Sequence, residues 1–282
     1  MNNSMKTLIK MALAEDIGSG DITTDLLVDK KKIVTAEFKA KEEGIIAGLP
    51  LVEIIFDLLD KKVKLFVKVC DGHKVKKGQV FATLTGSAHS ILKGERLALN
   101  FLQRMSGIAT LTSKFVHAIK GTHSKILDTR KTIPLWRGAD KYAVLAGGGA
   151  NHRFGLFDAI LIKDNHIEFA GGIDKAVKKV MDPSILKKKK VSFVEVEAGN
   201  LEEVRKAIES GIDRILLDNM DLKTLKEAVK LCKRYHVLAE ASGNVSLENV
   251  RKIAQTGVSF ISVGTLTHSP KALDISLKIK PK

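Results

Sequence analysis

Cysteine is almost absent from this 282-residue sequence, which holds only Cys70 and Cys232. Two thiols cannot build a disulfide scaffold, and so low a count fits a reducing compartment, the cytoplasm. Aromatic residues make up 5% of the chain and are not interleaved with basic ones. That argues against a base-stacking surface and hence against a nucleic-acid partner. Long apolar runs are missing as well: the uncharged stretch Ala254–Pro270 carries Gln, Thr, Ser, His and Pro. Without a span of about 20 apolar residues, no transmembrane helix and no membrane partner is expected. The opening MNNSMKTLIKMALAEDIGSG contains acidic residues and no apolar core of signal-peptide length. Acidic residues are the last deficit, 32 Asp and Glu against 47 Lys and Arg, a net +15. What is there, 44% apolar and 28% charged residues, is an ordinary globular composition, long enough for one large or two modest domains.

The positive charge is concentrated. Residues 104–190 hold 17 basic and 7 acidic residues, so two-thirds of the excess lies in this middle segment. A nucleic-acid surface and a pocket for a small polyanion both produce such a pattern. Part of it, the run Lys187–Lys190, reads as a solvated loop.

From residue 125 onward the chain repeats a grammar of short β-branched runs ending in polar groups, each followed by a helical pattern. The runs are residues 125–130, 159–163, 193–197, 214–218, 237–241 and 260–264. Between them, Leu201, Val204 and Ile208 recur at helical spacing, with Asn200 placed as N-cap and Gly211 as stop. Asp221 precedes a second such helix, and Ser246 with Asn249 a third. This alternation predicts a parallel sheet covered by helices. A closed or nearly closed α/β barrel is favoured over an open doubly wound sheet, because barrel strands converge on one functional mouth. The first hundred residues read differently. A helix over Leu8–Ala14, strands over Ile33–Lys41 and Val63–Cys70, a helix over Leu51–Leu59 and a hairpin over Asp71–Gln79 suggest a separate module. A long helix beginning near Gly94 follows, and the boundary is drawn at residue 103.

The strand ends carry the chemistry. Arg130, Lys131, His152, Arg153 and Lys163 gather positive charge, which is costly to desolvate unless an anion such as a dicarboxylate or phosphate neutralises it. Glu195 and Glu197 share one strand face, and with Asp218 they form an acidic corner suited to Mg²⁺ or sugar hydroxyls. Glu240 is placed at the same mouth. The turns Ser242-Gly243-Asn244 and Gly264-Thr265 close the last two units, the usual place for a phosphate in a barrel. Together these groups point to transfer of a phosphorylated sugar to an acidic acceptor.

Several segments in order, Gly20-Asp21-Ile22-Thr23, Asn100 to Thr110, Asp128-Thr129-Arg130-Lys131-Thr132, Gly147 to Arg153, Leu161 to His166, Glu195-Val196-Glu197, Leu217-Asp218-Asn219 and Val263 to Ser269, resemble the quinolinate phosphoribosyltransferases. The resemblance runs through nearly the whole chain. It implies an N-terminal α/β sandwich domain (1–103) and an incomplete, TIM-like α/β barrel of six or seven strands (104–282), whose last residues pack back on the first domain. The implied reaction joins quinolinate to phosphoribosyl pyrophosphate with Mg²⁺, giving nicotinate mononucleotide, carbon dioxide and pyrophosphate on the route to NAD. Carried over by position, Arg130, His152, Arg153 and Lys163 would surround quinolinate, with Arg104 supplied by the partner of a homo-oligomer, a dimer or a trimer of dimers. Lys131 would meet pyrophosphate, Glu197 and Asp218 the ribose and the metal-bound pyrophosphate, and Ser242, Gly243 and Gly264 the 5-phosphate. Lys131, Glu197 and Asp218 are the implied catalytic groups. Two rival readings are a paralogue of the same fold, such as a nicotinate-using one, and a carrier module built on the Asp71–Gln79 turn.

Overall fold

The computed structural model describes residues 3–183, 186 and 191–280, so the Lys187–Lys190 run lies outside the described residues. It divides into two compact units. The first reaches Ser113 and also takes in Ile133–Gly148 and the residues from Ser269 onward; the second comprises Lys114–Thr132 and Gly149–His268.

In the first unit, β1 (Ile33–Ala40) alternates strictly, burying Val34, Ala36, Phe38 and Ala40 on one face. It pairs antiparallel with β5 (Val80–Ser87) and with β12 (Ile275–Lys280), and β3 (Lys64–Val67) adds to the far side of β5. The end of the chain is thus an edge strand of the first sheet. β3 is shorter than its apolar run because Lys68 and Val69 both donate to the carbonyl of Phe81, which ends the regular ladder. Helix α1 (Asn3–Ile17) packs on α3 (Leu49–Leu59), which buries Leu51, Val52, Ile55 and Phe56. The short α2 (Ile22–Leu27), which periodicity did not flag, is capped by Asp21. Residues 71–79 do not form a free-standing hairpin. Their β4 (Lys74–Val75) pairs instead with β2 (Gly44–Ile45), while Gly72 and Gly78 supply the positive φ of the flanking turns. The boundary drawn at residue 103 falls inside α4 (Ala88–Ala118), an unbroken helix of 31 residues. Helix α5 (Arg137–Ala146) belongs to the first unit by compactness.

The second unit is the α/β array. Its strands are β6 (Lys125–Leu127), β7 (Ile160–Ile162), β8 (Val194–Ala198), β9 (Arg214–Asp218), β10 (Leu238–Ser242) and β11 (Phe260–Ser262). All neighbouring pairs are parallel, in the order β6-β11-β10-β9-β8-β7. Chain order therefore runs once around a ring that is open between β6 and β7, where a doubly wound sheet would reverse direction. This is an incomplete six-stranded barrel. Beside the gap, Ala150 makes a single parallel bridge to Leu127. The covering helices include α6 (Asp164–Ala170), α7 (Ile173–Val180), α8 (Leu201–Glu209), α9 (Leu222–Arg234) and α10 (Val250–Gln255), with the short α11 (Thr265–His268) after β11. Asn200 caps α8 by accepting from Glu203 N–H, and Asp221 caps α9 by accepting from Lys223 and Thr224 N–H. Strand β6 stops at Leu127, where its apolar residues end, and the buried carboxylate of Asp128 then accepts the amide of His152 at 2.8 Å.

Candidate active site

A cavity of about 900 Å³ opens at the C-terminal ends of the barrel strands. Its lining contains Arg130, Lys131, His152, Arg153, Lys163, Glu197, Asp218, Ser242, Gly243 and Gly264, all from the second unit. Every residue expected at the mouth of the barrel unit is thus in one place except Glu195. Arg104 is not among the lining residues; within the chain it forms a bidentate pair with buried Asp140 at 2.8 and 3.0 Å.

The cavity has a basic wall and an acidic edge. Burial and the nearby charge of Arg130 both press the Arg153 guanidinium below its ordinary pKa, although the group stays charged. Two guanidinium groups held in mutual repulsion on one cavity wall are relieved by an anion between them. Lys163 Nζ lies 3.1 Å from Glu197 Oε2, at the border between the basic and acidic sides. Asp218 accepts from Asn219 Nδ2 at 2.7 Å. Glu197 and Asp218 also line a second cavity of about 700 Å³, whose other acidic residues are Asp164, Glu168, Asp174 and Glu203.

In the same cavity, the last strand ends fold into tight turns. Gly243 has φ +94°, and a Cβ there would overlap the Asn219 carboxamide. Asn219 and Asn244 are themselves left-handed, at φ +52° and +48°, conformations that Asn tolerates better than most residues. The Asn219 amide donates to the Ser242 carbonyl at 3.0 Å and so ties the two turns together. Gly264 faces Lys131, whose Cδ would lie 3.1 Å from an added Cβ. The Thr267 hydroxyl donates to the Lys131 carbonyl at 2.7 Å and holds that loop. The backbone at both glycines can therefore approach a ligand closely.

The chain matches the quinolinate phosphoribosyl transferase C-terminal domain over residues 108–278 and the N-terminal domain of the same enzymes over residues 21–106. The chain belongs to the quinolinate phosphoribosyltransferase family. Within that family it is 49% identical to a mitochondrial quinolinate phosphoribosyltransferase (decarboxylating) of Nicotiana tabacum, over 98% of this chain and 82% of the relative. It is 43% identical to a probable nicotinate-nucleotide pyrophosphorylase of Bacillus subtilis, over 98% and 93% of the two chains. Among solved structures, the nicotinate-nucleotide pyrophosphorylase of Francisella tularensis superposes with a TM-score of 0.93 at 44% identity, covering 99% of this chain and 97% of that one.

Glu195, expected at the mouth of this phosphoribosyltransferase barrel, lies outside the cavity lining, whereas Glu240 belongs to the lining although it is buried. Glu195 and Glu240 are fully buried, because they stand at the second and third positions of five-residue strands rather than at their ends. Glu195 does share a face with Glu197, as alternation requires, but it does not join the acidic corner. Its two oxygens meet Arg214 Nε at 2.9 Å and His152 Nε2 at 3.1 Å. Glu240 pairs with Arg214 Nη2 and approaches His152 Nε2 at 3.4 Å. Burial and the neighbouring Glu240 charge push the Glu195 pKa up. For Glu240, burial is outweighed by the His152 bond and the Arg214 charge, which hold its pKa down. His152 feels opposing influences: burial disfavours its imidazolium, whereas the two carboxylates favour it. At Nδ1, however, the Arg153 amide donates at 2.7 Å, a bond that only an unprotonated nitrogen accepts, so the ring proton belongs on Nε2. Arg214 was missed as part of the site, although the period-two rule that grouped Glu195 with Glu197 also groups Arg214 with Asp218.

Proposed function

We propose that the chain transfers the phosphoribosyl group of phosphoribosyl pyrophosphate to quinolinate and releases the 2-carboxylate, forming nicotinate mononucleotide, carbon dioxide and pyrophosphate in NAD biosynthesis. The observation that carries the residue assignments is that Arg130, Lys131, Arg153 and Lys163 line one cavity together with the Glu197 and Asp218 carboxylates. Arg130, Arg153 and Lys163 bind the two carboxylates of quinolinate, over a floor formed by His152. The backbone of Ser242, Gly243 and Gly264 receives the 5-phosphate. Glu197 and Asp218 hold the ribose hydroxyls, and Lys131 draws on the pyrophosphate oxygens.

In this arrangement the ring nitrogen of quinolinate forms the bond to ribose C1 as the bond from C1 to the pyrophosphate oxygen breaks. The sugar passes through a cationic state that nearby carboxylates stabilise. The positive charge of the new pyridinium nitrogen then stabilises the electron pair that stays on ring C2 as the carboxylate departs as carbon dioxide, and that pair takes a proton from water. Neither a Schiff-base lysine nor pyridoxal phosphate is needed. Mg²⁺ belongs to the same proposal. Glu197 and Asp218 are partly accessible oxygen donors with one oxygen each in a hydrogen bond, which suits a hard cation shared with substrate phosphates. When bound, the ion neutralises charge on the leaving pyrophosphate.

Assembly into a dimer or a trimer of dimers, with Arg104 reaching a neighbouring site, extends the proposal, as does cytoplasmic residence. Unpaired cysteines agree with the latter, and no helix among the described residues is long and apolar enough to cross a membrane. The direct test incubates the protein with Mg²⁺, phosphoribosyl pyrophosphate and quinolinate, and follows nicotinate mononucleotide. Nicotinate in place of quinolinate should give no product, and equal turnover of the two would overturn the dicarboxylate assignment.

A further inference from the structure

Below the anion cavity lies a charged side chain that the proposed chemistry leaves without a task. Arg214 opens β9, and alternation places it on the barrel interior with Leu216 and Asp218. Its guanidinium sits between the rings of Phe193 and Phe260, 4.5 and 4.4 Å from their centroids, and its side chain is 10% exposed. One edge donates to Glu195 at 2.9 Å and the other to Glu240. The remaining Glu195 oxygen meets His152 Nε2, and the other side of that ring accepts the Arg153 amide at 2.7 Å. The His152 amide is fixed separately by Asp128. A continuous set of hydrogen bonds therefore runs from the floor of the barrel to the backbone of a residue on the cavity wall.

Buried ion pairs are poor sources of stability, because desolvation consumes most of their attraction. Apolar side chains of equal volume would fill this space at no greater cost. What an apolar filling could not supply is orientation. The planar fork of Arg214 bridges carboxylates on two different strands, a task for which a lysine ammonium lacks the geometry. His152, Glu195 and Glu240 do offer donor atoms within 4.8 Å of one another, as a cation site would. Arg214 already occupies that role, since its guanidinium contacts both carboxylates.

We propose that Arg214 is a positioning residue for the anion cavity: through Glu195, Glu240 and His152 it holds Arg153 in the orientation that receives a carboxylate of quinolinate. This rests on the reading of Arg153 as a quinolinate ligand. Arg214 touches no substrate, so its removal acts on one substrate more than the other. The turns at the phosphate end are fixed mainly by other bonds, from the Asn219 amide to the Ser242 carbonyl and from the Thr267 hydroxyl to the Lys131 carbonyl.

The test uses the full chain with Arg214→Lys, which keeps a buried positive charge and gives up the two-sided fork. A second variant, Arg214→Met with Glu240→Gln, removes one charge of each sign, so that a readable protein remains if the first fails to fold. The expected result is a KM for quinolinate raised about tenfold while that for phosphoribosyl pyrophosphate stays within about twofold. In ¹⁵N-resolved NMR of the imidazoles, the hydrogen-bonded His152 Nε2–H proton, protected from exchange in the unaltered protein, should broaden in the variant. A folded variant with an unchanged quinolinate KM and an unchanged His152 signal overturns the proposal. So does a loss of melting temperature with both KM values rising together, which is the mark of a merely structural role. Calorimetric titration of the unaltered protein with quinolinate separates the two readings. No binding there refutes the pocket assignment itself, whereas normal binding with an indifferent Arg214 refutes only the positioning role.

Discussion

Individual side chains in this molecule are defined by what surrounds them more than by type. Arg130 and Arg153 line one cavity, where burial and the charge of Arg130 lower the Arg153 pKa against the opposing charges of Asp158 and Glu195. The proposed function makes both of them ligands of an anion. Arg153→Ala removes two-point, charge-assisted contacts worth about 1.5–3 kcal/mol each, so the KM for quinolinate should rise about a hundredfold or more in steady-state assays. Retention of a normal quinolinate KM in that variant would show that the wall binds something else. Gly243 combines a φ of +94° with a neighbour that an added Cβ would overlap. Gly243→Ala should therefore cost about 1–3 kcal/mol in chemical denaturation and weaken phosphoribosyl pyrophosphate before quinolinate. The two cysteines differ just as sharply. Cys70 is exposed, while burial pushes the Cys232 thiol up to about 11. At pH 8 a thiol reagent should titrate one group in the native protein and two after denaturation.

At the scale of elements, strand and helix periods exposed most of the plan. Asn200, Asp221 and Gly211 punctuate α8 and α9 as the sequence predicts, since caps act through their own neighbours. Asp221→Ala should lower the melting temperature and leave both KM values unchanged, as measured by thermal melting and steady-state kinetics. Boundaries were less legible where a distant partner sets them. β3 ends early because two amides share the Phe81 carbonyl, and residues 71–79 take a partner in β2. A run of apolar residues says that a strand forms, but not which hydrogen bonds end it. The same limit placed Glu195 at the mouth: alternation fixes the face a residue shares, whereas depth along the barrel depends on where each strand begins.

Across the whole molecule, the excess of positive charge resolves into a small number of converging groups. Arg130, Lys131, Arg153 and Lys163 line one cavity. Arg104 and Asp140 form a bidentate pair in the other unit. If Arg104 also serves a partner's site, mixing Arg104→Lys subunits with Glu197→Ala subunits should regain part of the activity that neither variant shows alone. Lysine is the better replacement, because alanine would leave buried Asp140 without a counter-charge, a loss of about 3–5 kcal/mol. Assays of purified mixed oligomers check this, and inactivity there would count against shared sites. The sequence by itself determined the strand–helix alternation and the residue types that line one cavity, because periodicity, caps and turn residues act locally. Only the tertiary structure decided that the barrel stays open between β6 and β7, that β12 pairs with β1, and that Arg214 pairs with both Glu195 and Glu240. Those outcomes depend on strand register and burial, which bring together residues such as His152, Glu195, Arg214 and Glu240 that no local pattern connects.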